Sequence, residues 1–143
     1  MAGYFRKAEE LNYVGSYKAG EELANGVFAE ITANGVKKLT AAGDAEFRIA
    51  EKINLFCKED LVLVCTAVGT GEIYFVENEW EDYLDTGDFN IADYTVKTGH
   101  YVKMRRPNIN DEVVMSVAKS LYDALNVGET VTPAAGGSVA KKS

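Results

Sequence analysis

The chain has 143 residues, of which 47% are hydrophobic and 26% are charged, and its 22 Asp and Glu against 15 Lys and Arg give a formal net charge of −7. These values predict one globular domain with its own core, and they exclude wholesale disorder and a fibrous repeat. The acidic balance also argues against nucleic acid as the main partner, because a phosphate backbone would be repelled.

The first 17 residues mix aromatic, apolar and charged residues without a sustained helical or strand period. They predict an extended N-terminal arm. The opening residues lack the apolar stretch of a signal peptide. The longest apolar run, residues 61–68, is far shorter than the roughly 20 residues that cross a bilayer as a helix. We therefore expect a soluble protein with no membrane partner.

From residue 24 onward the pattern becomes typical of β-strands. Two β-branched runs flank Asn34-Gly35, which predicts a hairpin with a type I′ turn because both residue types tolerate a positive φ. The run 61–68 is nearly continuous in β-prone residues, which predicts a central strand covered on both faces. Gly69-Thr70-Gly71 follows and predicts a hairpin between this strand and residues 72–76.

The later part of the chain adds further short elements. Residues 101–105 predict a strand that ends at Arg106-Pro107, since proline lacks the donor that a ladder needs. Asn110-Asp111 predicts a turn. Residues 117–125 carry apolar side chains at helical spacing before Gly128, which predicts one short amphipathic helix.

Together these elements predict a mainly β protein, a single compact β-barrel or sandwich-like domain with one or two short helices. A last strand is predicted within residues 127–132, whereas the class of residues 46–53 stays open. The end of the chain is rich in Ala, Gly, Ser and Lys, which predicts a flexible C-terminal tail. The predicted division is an N-terminal arm at 1–17, a β-rich domain at 18–132 and a tail at 133–143.

Residues that could carry catalysis or hold a metal are sparse. The chain has one histidine, His100, and no GxSxG elbow or phosphate-binding glycine loop. Cys57 and Cys65 lack a CxxC spacing, which favours buried free thiols over zinc ligands, with a disulfide between them as the alternative. We expect no enzyme activity, no cofactor and no metal.

An acidic segment is followed by a basic one. Between Glu72 and Asp93 all charged residues are acidic, whereas the next charged residues have no acid among them: Lys97, His100, Lys103, Arg105 and Arg106. Opposite potentials of this kind can orient copies or partners, although each segment can also be neutralised within its own fold. A hydrolase using Glu79, Glu81, Asp82 or Asp85 is a weaker hypothesis, as is a Ca²⁺ site, because the ligand alternation of a calcium loop is missing.

Aromatic residues beside charges are candidate partner anchors, since Trp and Tyr combine a large contact area with a polar group. The candidate partner-binding residues lie in the arm, beside the acidic turn and in the basic strand: Tyr4, Phe5, Arg6, Lys7, Tyr13, Trp80, Lys103, Arg105 and Arg106. Packing against the domain's own core is the alternative for these aromatic rings. Trp80 and Tyr83 also suggest a pocket for a small ligand or a glycan.

The order of features from Asn25 to Val117 resembles that of the small capsid decoration, or cement, proteins of tailed bacteriophages. The resemblance lies in these segments: Asn25-Gly26-Val27-Phe28 before a hairpin, the strand at 61–68, the acidic Glu79-Trp80, and Gly99 to Arg105 leading to Asn110 to Ser116. In the family's pattern a Gly-Asp turn precedes an apolar strand that ends in serine. In this chain Asn110 replaces that glycine.

The resemblance implies a β-rich virion protein without catalytic residues, assembled in the host cytoplasm, that binds the outer surface of the capsid and stabilises it. The implied partners are the major capsid protein and neighbouring copies of the chain. The competing hypothesis is a small β-barrel module that binds a ligand or a glycan. The hydrolase hypothesis would need a carboxylate pair with a raised pKa in a cleft.

Overall fold

A computed structural model describes residues 3–7, 13–53, 59–78 and 95–142. Within these ranges the elements are as follows: β1 (Gly3–Lys7), β2 (Tyr13–Lys18), β3 (Leu23–Ala24), β4 (Phe28–Thr32), β5 (Gly35–Lys38), β6 (Glu46–Ile53), β7 (Asp60–Ala67), β8 (Tyr74–Val76), β9 (Thr95–Val96), β10 (Tyr101–Arg105), β11 (Glu112–Ser116), α1 (Lys119–Ala124), β12 (Thr130–Pro133) and β13 (Val139–Lys141). The predicted mainly β class is confirmed. The short helix and the last predicted strand also lie where the sequence indicates.

The strands form two main sheets. One has six strands in the order β1-β11-β7-β6-β12-β13, the other has five in the order β2-β10-β8-β4-β5, and β3 pairs with β9 as a small separate ribbon. Strand β7 lies inside the six-stranded sheet, where Leu61, Val62 and Leu63 are fully buried. Neighbouring residues of a strand point to opposite faces, so this strand is covered on both sides, as predicted.

The five-stranded sheet closes on itself. Beyond β2, Ala19 pairs in parallel with Val36 of the last strand, β5, and Gly20 N donates to Val36 O at 2.8 Å. Glycine permits this approach, because a Cβ on Gly35 would lie 2.7 Å from Lys18 O and 2.8 Å from Gly20 N. We call this contact the seam. It converts the sheet into a small barrel.

Two apolar clusters hold these layers together. One cluster lies between the barrel and the six-stranded sheet, and the other lies inside the barrel. Successive residues of β8 contribute to different clusters, because they point to opposite faces: Phe75 belongs to the first and Val76 to the second. The ring of Phe28 on the barrel lies 5.4 Å from both Phe47 of the sheet and Phe75, measured between ring centroids. All three rings are fully buried. They pack together where the two layers meet.

The predicted hairpin between residues 61–68 and 72–76 is wrong. Strand β7 belongs to the six-stranded sheet and β8 to the barrel, so the intervening loop carries the chain from one layer to the other. Gly69, at φ +73°, is held close to Asp44, and Thr70 N donates to Asp44 Oδ1 at 2.9 Å. These contacts bind the loop to the segment before β6 and prevent it from closing a hairpin.

The predicted hairpin at Asn34-Gly35 is confirmed as the pair β4 and β5, with Thr32 opposite Gly35. Its turn differs from the prediction. Because Thr32 pairs with Gly35, the two central residues of the turn are Ala33 and Asn34, and neither has the positive φ that a type I′ turn needs at both positions. The positive φ, +102°, belongs to Gly35, which follows them. Thr32 supports this turn, since its Oγ1 donates to Gly35 O and accepts from Asn34 N.

The described residues near both ends of the chain belong to the sheets, which corrects the arm and the flexible tail that we predicted. Strand β1 pairs with β11, with Gly3 opposite Met115, and a Cβ on Gly3 would overlap Gly26 Cα. Strand β2 pairs with β10 inside the barrel sheet. At the other end β13 pairs with β12, and Val139 is buried. Backbone pairing and this close packing fix segments that look irregular in the sequence.

Cys65 is a buried free thiol, which confirms the prediction for this residue and contradicts the alternative of a disulfide with Cys57. Burial raises its pKa to about 11, so the thiol is protonated at neutral pH. Cys57 itself lies outside the described residues. None of the helices in the described ranges is long and apolar enough to cross a membrane.

A buried amide network ties the barrel to the loop before β4. Asn78, 1% exposed, donates from its main-chain N and from Nδ2 to Asn25 Oδ1, at 2.8 Å each. Its Oδ1 accepts from Lys103 N at 3.0 Å. The network therefore provides hydrogen-bond partners for buried polar groups near the end of β8 that strand pairing does not satisfy.

Replacing Asn78 with Ala should lower the free energy of unfolding by about 1–3 kcal/mol, because Asn25 and the Lys103 amide would stay buried without this partner. Urea denaturation followed by circular dichroism measures the change. Asn34→Ala, at an exposed position where no described hydrogen bond holds the side-chain amide, is the matched control and should stay within about 0.5 kcal/mol of the wild type. Equal effects of the two substitutions would show that the buried network contributes nothing.

Candidate partner-binding surface

Strand β10 carries the predicted basic residues on the outer face of the barrel. Val102 and Met104 are fully buried in the barrel cluster. The alternate residues, Tyr101, Lys103 and Arg105, therefore point to the opposite, outer face. Arg105 lies directly opposite Phe75 of β8, whose side chain faces the six-stranded sheet. The outer face of β10 is therefore on the same side of the barrel wall as the six-stranded sheet.

The structure brings part of the predicted arm and the basic strand together. In the pairing of β2 with β10, Tyr13 lies opposite Arg105 and Lys18 lies opposite Tyr101. The turn before β10 is fixed to the same place, because Ala19 N donates to the His100 carbonyl at 2.8 Å. Two segments far apart in the sequence therefore present one continuous surface.

The exposed end of this surface is basic and aromatic. We call Lys18, Lys97, His100 and Tyr101 the basic-aromatic patch, since all four are exposed. Tyr101 is 59% exposed, and the Lys18 Nζ lies 5.6 Å from the centre of its ring, within the range of a cation–π contact. The segments 13–20 and 95–106 contain no acidic residue, although the whole chain carries a net charge of −7.

Two of the predicted basic residues are engaged inside the domain. Arg105 Nε lies 3.4 Å from Glu77 Oε1, and the two side chains are 20% and 18% exposed. Arg106 donates from Nη2 to the Gly71 carbonyl at 3.4 Å. Both groups therefore have neighbours that hold them within the domain. Lys103 is partly buried on the same strand.

The remaining candidates are placed less fully. Tyr4 lies in β1 opposite Val114, is partly buried and belongs to the other sheet. For Phe5, Arg6, Lys7 and Tyr13 the structure describes only the backbone, in strands β1 and β2. Trp80 lies outside the described residues, as do Tyr83 and the carboxylates that follow Asn78 up to Asp93. The ligand pocket and the acid/base pair predicted there stay predictions.

A cleft of about 380 Å³ lies beside the loop between β7 and β8. Its lining includes Glu30, Asp44 and Glu72, and none of the described residues that line it is aromatic. Asp44 accepts from the Thr70 hydroxyl at 2.6 Å, and this bond is the main reason that its pKa is lowered. A carboxylate held ionised in this way is unsuited to act as a general acid. Within the described ranges no group of three or more His, Cys, Asp or Glu side chains could hold a metal ion.

No family model, no curated protein and no solved structure matches this chain. Function must therefore be inferred from the surface itself. Its most distinctive part, the basic-aromatic patch, depends on Lys18 and Tyr101, which sequence reasoning did not select. They become neighbours only through the pairing of β2 with β10, and no local pattern in the sequence signals that pairing.

Proposed function

We propose that this protein is a non-enzymatic virion protein that binds the outer surface of a tailed-phage capsid and stabilises it. The observation that carries the proposal is the exposed basic-aromatic patch on an otherwise acidic chain. Two of its residues, His100 and Tyr101, lie in the segment Gly99 to Arg105, where the sequence resembles capsid decoration proteins. The patch and the resemblance therefore point to the same part of the molecule as the binding surface.

The chemistry of the patch suits an acidic protein surface. Lysines supply attraction that steers and orients the encounter, and the Tyr101 ring supplies apolar contact area together with a hydroxyl group. Lys18 and Tyr101 lie on paired strands, and the turn that carries Lys97 and His100 is hydrogen-bonded to Ala19, so little backbone entropy is lost when the patch binds. We propose that the major capsid protein presents the complementary acidic surface, and that neighbouring copies can add contacts.

Stabilisation of the shell then follows from mass action. A protein that binds the assembled lattice but not the separated subunits shifts the equilibrium towards assembly. Each contact can be weak, because a repeating lattice offers many equivalent sites, and any contact between neighbouring copies adds avidity. This mechanism needs no reactive group, only a rigid surface displayed outward.

The test is attachment of the purified protein to shells that lack it, measured by co-sedimentation across a range of concentrations. We expect saturable, stoichiometric binding that weakens as salt is raised, since the patch is exposed and its charges are screened. Lys18→Glu should weaken binding about tenfold or more. The matched control is Lys119→Glu, which makes the same charge change at an exposed residue of α1, outside the patch.

The outcomes test the proposed function and the proposed binding surface separately. Absence of saturable attachment by the wild-type protein would reject the proposed function. Attachment that both substitutions weaken equally would keep the function but reject the patch as the binding surface. Circular dichroism of each variant checks that its fold is intact.

A further inference from the structure

The chain contains two Asn-Gly pairs in very different surroundings. Asn25 is 1% exposed, and its Oδ1 accepts from both the main-chain N and the Nδ2 of Asn78. Asn34 is exposed in the turn between β4 and β5, and no hydrogen bond that the structure describes holds its side-chain amide. One pair is locked in the interior, whereas the other presents its amide to water.

We propose that Asn34 is a site of spontaneous deamidation, and that the isoaspartate formed there opens the seam of the barrel. The proposal concerns the chemistry of the chain and does not depend on the proposed function. It also distinguishes the two pairs, because the same dipeptide should be stable at Asn25-Gly26 and reactive at Asn34-Gly35.

The reaction needs only water. Gly35 has no side chain to obstruct its main-chain nitrogen, which loses its proton and attacks Asn34 Cγ. The new bond closes a five-membered succinimide, and the side-chain nitrogen leaves as ammonia. Water then adds to one of the two ring carbonyls and breaks its bond to the Gly35 nitrogen. Cleavage at the former side-chain carbonyl yields aspartate, and cleavage at the main-chain carbonyl yields isoaspartate. No electrons are transferred to or from another molecule.

Isoaspartate matters here because of what lies beside Gly35. It routes the backbone through the side-chain carbon and so adds one methylene to the chain just before Gly35. At the seam Gly35 packs against Gly20 and the Lys18 carbonyl so closely that even a Cβ would not fit. A longer backbone must therefore move Gly35 or Val36, and the bond from Gly20 N to the Val36 carbonyl is the first that we expect to break.

The first experiment ages the full-length protein in warm, mildly alkaline buffer and follows a mass gain of about one dalton. Both pairs lie in the tryptic peptide of residues 19–37, so fragment spectra are needed to assign the gain to Asn34 or Asn25. We expect Asn34 to react about tenfold faster or more, because Asn25 reacts only when the interior opens. In denaturing urea the two rates should become similar. Equal rates in the native protein, or no gain at Asn34, would overturn the proposal.

The second experiment tests the consequence at the seam. Ion exchange separates the deamidated protein from the unreacted form, hydrophobic-interaction chromatography then resolves the isoaspartate form from the aspartate form, and thermal unfolding compares both with fresh protein. We expect the isoaspartate form to unfold at a lower temperature, and Asn34→Asp, which carries the new charge without the added methylene, to stay close to wild type. Asn34→Gln should resist ageing, since its ring closure is less favourable. An isoaspartate form as stable as Asn34→Asp would refute the opening of the seam.

Discussion

Deletion of residues 1–17 should unfold the protein rather than merely remove an interaction arm. The deletion takes away β1 and nearly all of β2, which are the partners of β11 and β10. Two long strand edges would be exposed, and the seam at Ala19 would lose the strand that positions it. Because a domain of this kind has only about 5–15 kcal/mol of net stability, losing two strands should abolish the cooperative transition. Near-ultraviolet circular dichroism and urea titration measure this loss.

The control is deletion of residues 1–2, which leaves both strands in place and should retain the wild-type transition. A 1–17 deletion that kept a cooperative transition and buried aromatic signals would show that the strands contribute little to folding. The expected unfolding has a practical consequence. Loss of capsid attachment in such a deletion says nothing about binding, so point substitutions in the basic-aromatic patch are the informative variants.

Phe28→Ala should lower the free energy of unfolding by about 3–5 kcal/mol, since it leaves a cavity where the barrel and the six-stranded sheet meet. Phe28 is fully buried, and its ring packs against Phe47 and Phe75 in tilted and edge-on geometry. The substitution removes these favourable ring interactions together with the buried area. We expect the melting temperature to fall by roughly 10 °C or more, as measured by calorimetry.

Tyr101→Ala is the matched aromatic control, because it removes a ring of similar size from a surface position that is 59% exposed. Its cost should stay below about 1 kcal/mol, even though the substitution also removes the cation–π interaction with Lys18. The same variant should weaken attachment to shells, whereas Phe28→Ala should weaken it only as far as the protein unfolds. A cost for Phe28→Ala no larger than that for Tyr101→Ala would contradict the layered core.

The sequence predicted the elements whose signals are local. The hairpin at Asn34-Gly35 and the buried strand 61–68 each carry their pattern within a few residues, and both are present. The pairing of 61–68 with 72–76 failed because a glycine loop between two apolar runs is compatible both with a hairpin and with a crossing between sheets. The choice depends on distant contacts, here with Asp44.

The ends of the chain were misread for a related reason. Strand β1 has five residues with an irregularity between Phe5 and Lys7, so its alternation is too short and too broken to detect. Strand β13 has three residues, and its pairing with β12 is the reason it is ordered. In the candidate surface the sequence indicated a basic strand correctly, but it could not show that Glu77 contacts Arg105 or that Lys18 lies beside Tyr101.

The order of strands in the two sheets also bears on how the molecule is made. In the six-stranded sheet Gly3 pairs with Met115. In the barrel Ala19 pairs with Val36 and its backbone N donates to the His100 carbonyl. Neither layer is therefore complete until most of the chain has been synthesised. Such distant pairings fold slowly, commonly in milliseconds to seconds. On the ribosome the nascent polypeptide must therefore carry unpaired edges for most of its translation, and chaperone dependence during overexpression is the expected result.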